Sequence, residues 1–186
     1  SFPLFFATGI LPFMAYMDVS NKMSVALRYS KQLLFYPGVT YTDALIARFL
    51  LNAITSIMIA VILLPLIIIF YDLNVIIDMK AIAWGYTLAF ALGAGIGTLN
   101  CFLLSVLPIW ERAWAVLNRP LFLVSGVIVL FDTVPLPYRD WMWWNPLAHP
   151  IGLVRKGIYS TYDATYVSSV YVLAVSGVTL ALGLLL

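Results

Sequence analysis

Apolar residues come along this chain in long runs separated by short polar connections, and those runs predict helices long enough to cross a bilayer. Phe2–Met17 is apolar but short and carries Pro3, Gly9 and Pro12, which predicts a bent or tilted span. Asp18 to Asp43 is the one long polar stretch. Within it Met23, Ala26, Leu27 and Leu34 recur at roughly helical spacing, so Asn21–Leu34 is expected to be an amphipathic surface helix, with a turn at Phe35-Tyr-Pro-Gly-Val39. Thr42-Asp43 is expected to cap the helix that follows. Phe49–Phe70 is 22 residues without a charge, a span kinked at Pro65. A polar exit at Asp72, Asn74, Asp78 and Lys80 precedes Ala81–Leu107, a span whose Gly93-Ala-Gly-Ile-Gly97 suits close helix approach. The charged turn Pro108–Arg112 leads to Ala113–Phe131, 19 residues interrupted by Arg119-Pro120, and Ser168–Leu186 is the last apolar run. About five membrane spans are therefore expected.

Asp132–Thr161 breaks this pattern with prolines, three tryptophans and the basic pair Arg155-Lys156. That mixture suits neither a full span nor an aqueous loop; it predicts short, broken helices lying at a membrane face or dipping into it. The segment should enter from one side, turn near Asn145-Pro146 and return as a second short helix. Asn145 would cap that helix and Pro146 would take its first position.

Composition sharpens the class. At 63% hydrophobic, 10% charged and a mean hydropathy of +1.01, the chain carries more apolar surface than a soluble domain can hide. It reads as an all-α polytopic membrane protein, with residues 1–186 forming a single transmembrane domain. A net charge of +2 gives no basis for nucleic-acid binding. The position of the basic residues matters more. The connection 18–48 and the turn 108–119 together hold six Lys/Arg against one in 72–80, which puts those two connections in the cytoplasm and the Trp-rich segment outside. Arg139, Arg155 and Lys156 on the external segment run against that count. The single Cys101 permits no internal disulfide. Because the chain starts at Ser1 and stops within an apolar run, it is expected to be a fragment of a longer protein.

Candidate chemistry is sparse. The eight carboxylates fall singly over turns and surface helices, so no acid/base pair for catalysis is expected, and no ionisable side chain sits in mid-span to couple transport to an ion. The glycine run lacks the Lys-Ser/Thr of a phosphate loop. His149, the one histidine, has no second ligand near it, so a structural hydrogen bond is expected rather than a metal site. Energy for any transport must then come from a partner. Tyr138, Trp141 and Trp144 fall at i, i+3 and i+6 and line one helical face; their rings either stack on sugars or anchor in lipid headgroups. Arg139, Arg155 and Lys156 meet an acidic polymer or pair with headgroups. Asn52, Thr55, Ser56 and Asn100 lie inside spans as interhelical glue or as lining of a pathway.

The residues also carry a resemblance. Gly9-Ile-Leu-Pro-Phe13, Leu33-Leu34 with Tyr36, Asp43-Ala-Leu-Ile-Ala-Arg48, Val134-Pro135 and Trp144-Asn-Pro-Leu-Ala-His149 occur in one order that resembles the membrane subunit of capsular-polysaccharide ABC exporters, the type 2 permeases. The resemblance covers nearly the whole chain. It implies a six-span permease, of which an amphipathic helix and the first span would precede Ser1, in the inner membrane of a Gram-negative bacterium. It further implies a homodimer, two copies of a separate ATP-binding subunit carrying ATP and Mg, a periplasmic co-polymerase or export partner, and a lipid-linked acidic polysaccharide as cargo; the chain itself would hold no cofactor. In that picture 18–48 is the coupling loop, with Leu33, Leu34, Tyr36, Arg28 and Lys31 meeting the ATPase. The segment 132–161 is the external gate, with Tyr138, Trp141, Trp144, Asn145, Arg155 and Lys156 at the pathway. A membrane transferase or hydrolase of lipid-linked sugars, or a non-transporting scaffold, are the alternatives.

Overall fold

The computed structural model describes residues 2–186, and among them every regular element is helical. In chain order these are α1 (Phe2–Ser24), α2 (Ala26–Tyr29), α3 (Tyr41–Phe70), α4 (Met79–Val106), α5 (Trp110–Val124), α6 (Tyr138–Trp143), α7 (Ala148–Ile158) and α8 (Ser169–Leu185), with single 3-10 turns at Leu33–Phe35 and Phe131–Thr133. Three of them, α1, α3 and α4, are long and apolar enough to cross a membrane, while α8 is apolar but shorter.

Helix α4 is the centre on which α1, α7, α8 and part of α3 pack, and its small residues explain why. A methyl group added at Gly97 would lie 2.9 Å from the Ser20 carbonyl of α1, and one at Gly95 would lie 2.5 Å from the Ser176 carbonyl of α8. The glycine run therefore lets α4 bring two neighbours to backbone contact on two faces, the close approach that such spacing suits. Tyr16 lies against Gly93 as Ser20 lies against Gly97, so α1 runs parallel to α4, and Ser176 against Gly95 with Gly183 against Leu99 gives α8 the same direction.

The two ends of this bundle are tied by specific contacts. At one end Arg28 Nη2 lies 3.1 Å from Glu111 Oε2, which joins the connection after α1 to the start of α5. At the other, the Asp78 N–H donates to the Gly157 carbonyl at 2.7 Å, joining the connection before α4 to the end of α7. Residues 25–40 and 107–112 thus share one end, and 71–78 shares the other with 158–168. This is the same pairing of connections that the basic residues suggest.

Several expectations need correction. The first helix does not stop at Met17 but continues through Pro12 to Ser24, since Val19 and Met23 remain buried against α4 and α3. Asn21–Leu34 is not one amphipathic helix: α1 ends at Ser24, α2 is a single turn, and Leu33–Phe35 is a 3-10 turn. Val25 and Ser30, both with ψ near zero, interrupt it. Helix α3 begins at Tyr41 rather than Phe49. Thr40 is its N-cap, and Asp43 is the reciprocal member of the capping box, its carboxylate accepting the Thr40 N–H at 2.8 Å.

The expected span over Ala113–Phe131 is also redrawn. Helix α5 starts three residues earlier and ends at Val124 after 15 residues, roughly 22 Å at 1.5 Å per residue, against a hydrocarbon core of about 30 Å. Ser125 turns its hydroxyl back to the Leu121 carbonyl, and Gly126 takes a left-handed φ of 76°, which a side chain would resist. Hydropathy misses the break because Val127-Ile-Val-Leu-Phe131 continues the apolar run past it.

Candidate functional site

The break at Ser125 leaves carbonyl groups without helical partners at the level of Gly9 on α1, and such groups must be satisfied by protein where water is scarce. Arg155 on α7 supplies the donors. Its Nη1 donates to the Gly126 carbonyl at 2.6 Å and, at 3.5 Å, to that of Val129, while its Nη2 donates to the Val127 carbonyl at 2.7 Å. The guanidinium also lies 4.2 Å from the Phe5 ring centroid, a cation–π contact that ties α1 to the same point. At 2% exposed, Arg155 is a brace for the broken helix and not a surface cation. Its sequence neighbour Lys156 is exposed and sits 3.9 Å from Asp163, so the expected Arg155-Lys156 pair divides into one buried and one solvent-facing charge.

A second knot surrounds His149. The ring is fully buried, with Nε2 3.1 Å from the Trp143 carbonyl and Nδ1 accepting the Ser168 N–H at 3.3 Å. Since an amide N–H can only donate, Nδ1 must be the unprotonated nitrogen, and Nε2–H donates to Trp143. Burial lowers the pKa of His149 below its ordinary value, with the Trp143 carbonyl opposing in part. Trp143 stacks on Tyr171 of α8 at 5.2 Å and donates its indole N–H to the Tyr166 carbonyl at 3.0 Å; Tyr171 in turn donates its hydroxyl to the Trp144 carbonyl at 2.7 Å. Through His149 and Trp143, α6, α7 and the start of α8 form one unit. Spacing alone does not single out Trp143, because its role depends on Tyr166 and Tyr171, more than 20 residues away.

The turn between α6 and α7 falls where expected, with different capping. Asn145 Oδ1 accepts the Leu147 N–H at 3.1 Å and its amide nitrogen donates to the Ser125 hydroxyl at 3.3 Å, but α7 starts at Ala148, so Pro146 lies in the turn rather than at the first helical position. Tyr138, Trp141 and Trp144 are 63%, 74% and 67% exposed; Tyr138 meets Trp141 edge-on at 6.5 Å, whereas Trp144 meets Trp143 and Tyr171. Of the polar residues within spans, Asn52 and Thr55 bond back to carbonyls of their own helix, whereas Asn100 reaches across to α5, its Oδ1 accepting the Trp110 indole N–H at 2.9 Å.

At the opposite end, Leu33, Phe35 and Tyr36 are 58%, 78% and 67% exposed, and Leu34 is half-buried. Lys31 is exposed beside them, and Glu111 holds the Arg28 guanidinium above its usual pKa range through their hydrogen bond. Among the described residues, the side chains of Leu33, Phe35 and Tyr36 are left largely uncovered.

Among the described residues no group of three or more His, Cys, Asp or Glu side chains is placed to hold a metal ion. The sequence profile described as ABC-2 type transporter matches residues 3–159, which takes in α1 to α7 and so the broken α5 and the segment braced by Arg155. The chain belongs to the ABC-2 type transporter family. Within that family it is similar to the polysialic acid transport protein KpsM of Escherichia coli, 27% identical over 186 residues that cover 100% of this chain and 72% of that protein. It is also similar to the capsule polysaccharide export inner-membrane protein BexB of Haemophilus influenzae, 25% identical over 185 residues covering 98% of this chain and 69% of the relative.

Proposed function

We propose that this chain is the transmembrane subunit of an ATP-driven exporter that moves lipid-linked capsular polysaccharide across the bacterial inner membrane. Similarity along the whole chain to two export proteins, KpsM and BexB, is the observation that carries this reading. Hydrolysis of ATP with Mg would take place on a separate subunit, present in two copies, a reading that membership of the ABC-2 type transporter family supports. The exposed apolar residues Leu33 and Tyr36 beside the half-buried Leu34, with Arg28 and Lys31, support docking of that subunit on the cytoplasmic connection 18–48. Charge substitution there, for example Leu34→Asp, should abolish co-purification of the ATPase while the permease stays inserted.

A homodimer would supply the other half of the pathway. Helix α5 supports this, because none of its residues is buried within the chain although much of it is apolar. In the dimer the two segments 132–161 would close the external mouth, presenting Tyr138, Trp141 and Trp144 to the emerging acidic polymer, with Lys156 nearby; a periplasmic partner would receive it there. Arg155 and Asn145 would position this gate rather than touch cargo.

Deletion of the gene in the strain that carries it tests the reading. Surface polysaccharide should vanish while lipid-linked polymer accumulates inside, and the unsubstituted gene should restore export. Normal surface polymer in the deletion strain would refute it.

A further inference from the structure

Helix α5 turns the half-buried Trp110, Trp114 and Asn118 toward the bundle and leaves Arg112 and Arg119 exposed on the side away from it. At 100° per residue the two arginines lie about 20° apart around the helix and roughly 10 Å apart along it. They form one stripe, with Ala115 and Val116 between them. Leu117 and Val124 occupy the other outward side, roughly 140–160° round from Arg119, so the face of α5 suited to lipid is not the one that carries the charge.

Arg119 lies roughly 13 Å along the helix past Trp110, well into a hydrocarbon core of about 30 Å. It is an exception to the expectation that no ionisable side chain lies within a span. A guanidinium at such depth is costly unless it meets a counter-charge or a water-filled space. Among the described residues, no carboxylate lies within 4.0 Å of Arg112 or Arg119, and Glu111, the carboxylate on α5, is already held by Arg28 at 3.1 Å.

Pro120 adds a second polar group to the stripe. It has no N–H to donate to the Val116 carbonyl one turn before it, so a backbone acceptor is left open where Val116 is 63% exposed. Beside the stripe is an open hollow of about 440 Å³, bordered by Arg119 with Met17, Asn21 and Glu111. Two cations and an open carbonyl that face out of the chain at this depth require a polar, anionic occupant.

We infer that Arg112 and Arg119 form a cationic track on α5 along which the acidic groups of the exported polymer pass. The inference rests on the export reading and adds to it the residues that select an anionic cargo. Arg119 pairs with an oxyanion on one sugar, a contact its planar fork suits, while the Val116 carbonyl accepts from a hydroxyl beside it. Arg112, nearer the start of the helix, meets the next acidic group. In a pair of copies two such stripes would face one lumen.

Arg119→Cys and Leu117→Cys, each in a chain lacking Cys101 and in the full exporter in inverted membrane vesicles, are treated with a sulfonate methanethiosulfonate and with its trimethylammonium counterpart. Arg119→Cys should react with both and Leu117→Cys with neither. Adding Arg112→Gln should lower the sulfonate-to-ammonium rate ratio at position 119 about fourfold, the effect of removing one unit charge roughly 10 Å away. Transport is followed in the same vesicles as ATP-dependent protection of lipid-linked polymer. Arg119→Gln should reduce it about tenfold with both copies and the ATPase subunit still assembled, and Arg119→Lys should retain at least half. A position 119 no more reactive than 117, a rate ratio indifferent to Arg112, or an Arg119→Gln variant whose two copies come apart overturns the inference. If the unsubstituted exporter moves no polymer, the export reading fails and this inference with it; if it moves polymer and Arg119→Gln moves it equally well, the track alone is refuted.

Discussion

Arg155 donates to the Val127 carbonyl at 2.7 Å across 28 residues of chain, and this bond marks where a membrane-depth helix stops. An arginine suits the position because its planar fork reaches carbonyls that diverge from one another, which a lysine ammonium on a flexible stem does less well. Arg155→Met should leave the Gly126 and Val127 carbonyls unpaired and cost about 1–3 kcal/mol for each. Unfolding in detergent by denaturant should show that loss, and Arg155→Lys should recover only part of it.

The charge state of His149 makes the same segment sensitive to acid. Its pKa in the fold is below its ordinary 6.5, so as pH falls below 6.5 the unfolded chain takes up the proton first and stability is lost. Above 6.5 both states hold a neutral ring and the contribution is flat. Stability compared at about pH 7.5 and about pH 5.5 should fall with acid, and His149→Gln should flatten that dependence.

The aromatic residues divide by burial into two roles. Trp143→Ala removes a ring stacked on Tyr171 and bonded to the Tyr166 carbonyl, and should cost about 3 kcal/mol. Trp141→Ala, at an exposed position, should change stability by no more than about 0.5 kcal/mol while lowering the export rate. Thermal unfolding of each purified variant, alongside surface polymer in cells, checks both halves.

Close helix approach at Gly97 gives a further test. Gly97→Leu puts a side chain where Ser20 and Met23 of α1 already lie, so α1 must move from α4. Inserted protein should fall steeply, whereas Gly177→Leu on α8, where nothing lies nearby, should be tolerated.

Much of this architecture was legible in the sequence, because bilayer thickness and backbone satisfaction leave few choices to an apolar run. The spans α3 and α4, the kinship of the connections at each end, and the turn at Asn145-Pro146 all follow from hydropathy, basic residues and prolines. What could not be read were features that depend on residues far apart. The end of α5 at Ser125-Gly126 hides within an apolar run, and only the structure brings Arg155 to it. The partition of Arg155 inward and Lys156 outward likewise comes from the packing of α7 on α1 and α4, since adjacent helical residues point about 100° apart.

The central claim is ATP-driven export, and inverted membrane vesicles holding the chain with its ATPase subunit test it most directly. Lipid-linked polysaccharide supplied on the outer, formerly cytoplasmic, face should become protected inside the vesicles when ATP and Mg are added, and Leu34→Asp should abolish that protection. Protection that is equal without ATP, or absent with ATP although the two subunits remain assembled, would contradict the account.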